Sequence, residues 1–211
     1  ISSGGSLDGD GNGVPDECEA ADDDLDQGET TVLNPGGGGA ADNVIATVTN
    51  VSAGNDATID LTLSNVTGST ADSGFSVFGV VVEIETSMPD GAFELQLTIP
   101  FDSDDLDGAD PLQADLSFFL IDRWVLAVAA NTQNSPGHSA PTGDRHLDVP
   151  NDELGDYGVV WDGGSGTGYV WANLDHASEF APGFAGCRTD VNGDATTGFT
   201  DLVQVLGSWG S

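Results

Sequence analysis

From residue 43 onward the chain alternates. In 57–64, ATIDLTLS, the residues Ile59, Leu61 and Leu63 take every second place, and Asp60, Thr62 and Ser64 take the places between. Successive side chains of a strand point to opposite faces, so this period describes a strand with one face in a core and the other in water. The stretch AFELQLTI at 92–99 repeats the device, with Phe93, Leu95, Leu97 and Ile99 opposite Glu94, Gln96 and Thr98. FSVFGVVVEIE at 75–85 is apolar on both faces and is expected as one central strand. ADLSFFLID and RWVLAVAA come next, with a turn expected at Asp122, and YGVVW, DGGSGTG and YVWANL predict a hairpin. About nine strands separated by turn signals predict an all-β fold, an antiparallel β-sandwich of Ig-like or jelly-roll-like type.

The Gly-rich loop of that hairpin is not a phosphate cradle. It lacks a Lys-Ser/Thr ending and a helix start, and the charge of the chain opposes an anion. With Asp+Glu at 36 against Lys+Arg at 3, the formal charge over 211 residues is −33. Such a surface repels nucleic acid and anionic membranes. It also repels itself, so bound divalent cations or high salt are its expected setting. An acidic surface of a saline habitat spreads its charge over faces, whereas here Asp gathers in 8–26, 102–110 and 190–201. No run of about 18 apolar residues is present, so no membrane span is expected.

The first gathering has an order. In DGDGNGVPDECE, residues 8–19, the residues Asp8, Asp10, Asn12, Val14, Asp16 and Glu19 stand at places 1, 3, 5, 7, 9 and 12, with Gly13 at place 6. That meets D-x-[DN]-x-[DN]-G-x5-E in full, the ligand order of an EF-type calcium loop, with Val14 contributing its carbonyl. The preceding ISSGGSL has no helical period, so the loop is expected without an entering helix. It resembles the NGNGVPDEC tracts of secreted bacterial surface proteins and, more loosely, the loops of thrombospondin type 3 repeats. Such tracts come in series, and ISSGGSLD resembles the spacer between two of them.

The last gathering has a similar order. DVNGDATTGFTD sets Asp190, Asn192, Asp194, Thr196 (through its carbonyl), Gly198 (through water) and Asp201 at places 1, 3, 5, 7, 9 and 12. Phe199, Leu202, Val203 and Leu206 then recur at helical spacing, which predicts a short amphipathic helix ending near Gly207. This part resembles a dockerin repeat, the secreted calcium-loop-and-helix unit that docks onto a cohesin. The resemblance implies Asp190, Asn192, Asp194 and Asp201 as side-chain ligands. Ala195 and Thr197 depart from the pattern, and one repeat stands where dockerins have two.

The chain thus divides into a calcium-loop arm and Gly-rich linker at 1–42, a sandwich at 43–184 and a dockerin-like loop and helix at 185–211. A third tract, DSDDLDGAD at 102–110, offers Asp102, Asp104, Asp105 and Asp107 as possible further ligands, but its spacing fits no known loop. Asp104 or Asp105 capping a short turn is the alternative. The cysteines, Cys18 and Cys187, lie at opposite ends and suit one bridge within the chain or one between subunits. The sequons at Asn50 and Asn65 permit glycosylation. Calcium is the cofactor expected, and weak calcium loops imply a secreted, extracellular or cell-surface protein in a mature, processed form.

No catalytic arrangement emerges. His138, His146 and His176 are scattered, no G-x-S-x-G elbow exists, and Asp144, His146 and Asp148 share one polar loop. Trp124, Trp161, Trp171 and Tyr169 are candidates for a flat sugar-stacking platform, or else Trp161 and Trp171 pack across their hairpin. A sandwich of this length does not need terminal ions to fold. The ions are therefore expected to order the ends or join copies of the chain, giving a non-enzymatic, calcium-stabilised extracellular polymer. The alternative is a module docking a cohesin-like partner or a glycan.

Overall fold

A computed structural model describes residues 20–35, 43–54, 56–65, 75–106, 108–121, 123–132 and 143–185. Thirteen strands are found there: β1 (Ala20–Leu25), β2 (Thr30–Leu33), β3 (Ile45–Asn50), β4 (Ala57–Asn65), β5 (Phe75–Val77), β6 (Val80–Thr86), β7 (Phe93–Asp102), β8 (Ala114–Leu120), β9 (Arg123–Leu126), β10 (Arg145–His146), β11 (Tyr157–Asp162), β12 (Thr167–Leu174) and β13 (Glu179–Ala185). They form two sheets. The first runs β1-β4-β6-β13-β8-β9, with β5 also paired to β13, and the second runs β10-β11-β12-β7-β3-β2. All pairs are antiparallel except β10 with β11.

The alternation does what the period requires. Along β7, Phe93, Leu95, Leu97, Ile99 and Phe101 are buried while the residues between them are not. Along β4, Ala57, Ile59 and Leu61 are buried opposite exposed Thr58, Asp60 and Thr62. These faces meet in one core that also takes Val82, Ile84, Leu116, Phe118, Val159, Val170, Leu174 and Phe180. The chain is an all-β sandwich. Among the described residues helix is confined to 3-10 turns at Pro111–Gln113 and Ala127–Ala130, and no helix is long and apolar enough to cross a membrane.

Three local expectations differ from the structure. The run 75–85 is not one strand but β5 and β6, separated at Gly79, whose φ of 68° is the left-handed conformation that glycine tolerates best. RWVLAVAA holds strand geometry only to Leu126, after which Ala127 and Val128 turn into the core as a 3-10 segment. The β8–β9 hairpin pairs Leu120 with Arg123 across a two-residue loop, and its described half is Ile121 at φ 62°, a β-branched residue in the conformation such a loop demands. Two strands also come from the stretch read as an arm: β1 pairs with β4 and β2 with β3, at the two sheets' edges.

Asn50 fixes that corner. Its side-chain amide donates to the carbonyls of Leu25 and Gly54, and its Oδ1 accepts from the Ala53 N–H. Its backbone bonds Gly28 and Glu29 in the β1–β2 turn. The side chain is fully buried, so this sequon is closed to glycosylation in the folded chain.

Candidate functional site

Both twelve-residue loops, at 8–19 and 190–201, lie outside the described residues, as do Cys18, Cys187, His138 and Asp107. The described part of the third acidic tract is a turn closed by its own carboxylates. Asp105 Oδ2 accepts the Asp102 N–H at 2.9 Å, and Asp102 Oδ1 accepts the Asp104 N–H at 2.7 Å. Burial pushes the Asp105 carboxyl above its ordinary value, with the Asp102 and Asp104 charges adding to it against the hydrogen bond. Among the described residues no group of three or more His, Cys, Asp or Glu side chains is placed to hold a metal ion.

Among the described residues a dense polar cluster lies elsewhere, on the outer face of the second sheet, where residues 143–156 form a strap over β11 and β12. Asp156 is its centre. This buried carboxylate accepts from the Asp144 N–H at 2.7 Å, from His146 Nε2 at 2.8 Å and from Asn151 Nδ2 at 2.7 Å. Burial pushes its carboxyl up, but the bonds from Asn151, the Asp144 N–H and His146 outweigh burial and hold it below the ordinary value. Asn173 Nδ2 donates to the strap carbonyls of Asn151 and Glu153, and its Oδ1 accepts from Gln96 Nε2. Two strands thereby grip the strap through amides.

Trp171 lies beneath. It is fully buried although it projects from the outer face, because His146 stacks on it at 5.8 Å and its Nε1 donates to the Asp148 carbonyl. Closeness is possible because β11 has Gly158 opposite Trp171: a Cβ there would come within 2.3 Å of the His146 carbonyl oxygen. Arg145 anchors the strap to the first sheet, donating to Asp115 at 2.6 Å and to the carbonyls of Leu112 and Ala114. Burial nonetheless holds the Asp115 carboxyl above its ordinary value.

The chemistry available here is positional. His146 spends Nε2 on Asp156, and its Nδ1 faces Asp148 at 3.9 Å. A nucleophile would have to stand within hydrogen-bond reach of such a base. Sequence reasoning placed Asp144, His146 and Asp148 together but missed Asp156, Asn151, Asn173 and Gln96. The acidic loop with its single Asn151 and the polar interruptions of β7 and β12 were the only signals.

The aromatic platform does not form as one plane. Trp124 is buried on the first sheet between Phe119 and Val77, Trp161 stacks on Phe101 at 5.5 Å, and Trp171 is sealed by the strap. Nor do Trp161 and Trp171 pair with each other. Each lies against a glycine of the opposite strand, Trp161 on Gly168 and Trp171 on Gly158, because the hairpin register is offset by three residues between them.

A second concavity opens at the other sheet. A groove of about 1270 Å³ runs between β8, β9 and the β12–β13 connection, with Phe119, Trp124, Leu126, Ala130 and Ala177 among its walls and Arg123 at its rim. His176 lies in its wall, donating from Nε2 to the Ala127 carbonyl and packed between Phe118 and Phe180. Burial keeps its imidazole below the ordinary value, against the raising effects of that bond and of Asp90 and Asp175. The sequence matches no family model, no curated protein and no solved structure.

Proposed function

We propose that this chain is a secreted, calcium-binding structural protein whose copies assemble into an extracellular or cell-surface polymer. The observation that carries the reading is the pair of twelve-residue stretches with the ligand order of a calcium loop, 8–19 and 190–201, which flank in sequence the residues that form the sandwich core. Ions so placed order terminal segments rather than the fold. The side chains with the most catalytic appearance, His146 and Asp156, are engaged in holding a strap.

The sheet edges favour the same reading. Among the described residues β1 ends the first sheet, and its sequence AADDDL is acidic, the kind of charge that discourages strand addition. Among the described residues β2 ends the other sheet; it is Thr-Thr-Val-Leu with Val32 60% exposed, and an uncharged β-branched edge is of the kind that accepts a neighbour's strand. A contact of that kind repeated head to tail gives a filament or layer unless it closes.

Electron microscopy of the purified chain in millimolar calcium, and again after excess chelator, tests this. Ordered polymers that dissociate on chelation are expected. Single particles under both conditions overturn the reading and turn attention to cohesin-like and glycan partners.

A further inference from the structure

The groove beside β8 and β9 raises a question of cover. Its walls join Phe119, Trp124, Leu126 and Ala130 to Asp90, Asp115 and Arg123, and a concavity with that apolar floor has room for a chain segment. β13 ends at Ala185, and Ala185 is itself one of the groove's lining residues, so the chain leaves the sandwich at the groove's mouth.

The segment beyond Ala185 has the matching chemistry. In 186–211 the residues Phe199, Leu202, Val203 and Leu206 stand at i, i+3, i+4 and i+7, the anchor spacing of a helix that lays one face into a groove. The other segments outside the described residues offer no such stripe. Residues 36–42 are glycine, alanine and aspartate, residues 66–74 and 133–142 are small and polar with Val66 their one large aliphatic, and 1–19 holds only Ile1, Leu7 and Val14 far apart. Attachment at the mouth also gives the segment a high effective concentration relative to any separate partner.

We propose that the groove formed by β8, β9 and the β12–β13 connection seats the chain's own C-terminal segment, with Phe199, Leu202, Val203 and Leu206 turned into it. The rear calcium loop then precedes a docked helix, and Trp124 lies under it. This stands apart from whether copies polymerise.

The full chain tests it by photo-crosslinking in millimolar calcium, with p-benzoylphenylalanine replacing Leu202 in one variant and Gln204, on the opposite helical face, in a second. The expected result is intrachain crosslinks from position 202 to residues 118–130 or 176–185, several-fold more abundant than from position 204. Crosslinks confined to a dimer band place another copy in the groove and overturn the proposal, as does equal labelling from both positions or labelling elsewhere. Hydrogen exchange of the double variant Leu202→Asp, Leu206→Asp gives a second reading. Amides of 118–130 are expected to lose protection while β7 and β12 keep theirs, and unchanged exchange at 118–130 overturns the proposal.

Discussion

Each sheet carries a buried tryptophan that projects away from the core, and the two are covered by opposite means. Trp171 on the second sheet is sealed by a strap held through Asp156, Asn151, Asn173 and Gln96, with the polar groups of that strap paired to one another. Trp124 on the first sheet lies among Val77, Phe119 and Ala181, beside an apolar groove. A cover made of hydrogen bonds is specific and closed. A cover made of apolar surface is adaptable and leaves room for a further segment.

The difference predicts that the strap fails sharply when its centre is removed. Asp156→Ala leaves the Asp144 N–H, His146 and Asn151 without their common acceptor, and the cost is expected at about 4 kcal/mol. Urea unfolding measures it, and a cost under about 1 kcal/mol would show that water replaces the carboxylate and that the strap is not held as described. The acid side carries the same signature. The folded carboxyl titrates below its ordinary 3.8, so its stabilisation is fully present above that value and is lost as pH falls through the lower folded one.

A smaller effect sharpens the geometric half of the comparison. At Gly158 a Cβ would stand 2.3 Å from the His146 carbonyl and 3.1 Å from the Trp171 ring, while at Gly164 it would meet only the Asp162 side chain at 3.2 Å. Gly158→Ala must therefore lift the strap from Trp171, at a cost of about 2 kcal/mol with a red shift in tryptophan emission. Gly164→Ala is expected to change neither by more than a few tenths of that. Equal effects at the two sites would mean that the glycine-to-alanine change itself, not the strap's close approach, sets the cost.

Much of this fold was legible because burial imposes period two on the sequence. The faces of β4 and β7 can be read residue by residue, and so can the β11–β12 hairpin. The breaks were less legible. Gly79 interrupts an apolar run that periodicity alone reads as continuous, and β1 is a strand despite its run of aspartates because β4 and the Asn50 corner hold it in place. The strap was hidden for a different reason. Asp156, Asn151, Asn173 and Gln96 lie as far as 77 residues apart, and no local rule links a polar residue in one strand to a loop that crosses another. The stretches 8–19 and 190–201 are the opposite case, since the positions proposed as calcium ligands lie within twelve consecutive residues and their order can be read from the sequence alone.

The histidines extend the contrast to its finest measurable step. His146 has a carboxylate for a partner, whereas His176 has a carbonyl and two aromatic rings, with Asp90, Asp115 and Arg123 the charged groups of the surrounding groove. Burial holds the folded His176 imidazole below its ordinary 6.5, so the unfolded chain binds its proton first as the solution is acidified. The His176 contribution to stability is therefore flat above that value and declines as pH falls from 6.5 toward the lower folded value, well before Asp156 begins to titrate. Chemical denaturation between pH 7.5 and 5 should show this decline in the native chain and not in His176→Phe, which keeps the ring contacts and removes the proton. The same decline in both would assign it to other groups and remove the distinction between the two sides of the sandwich.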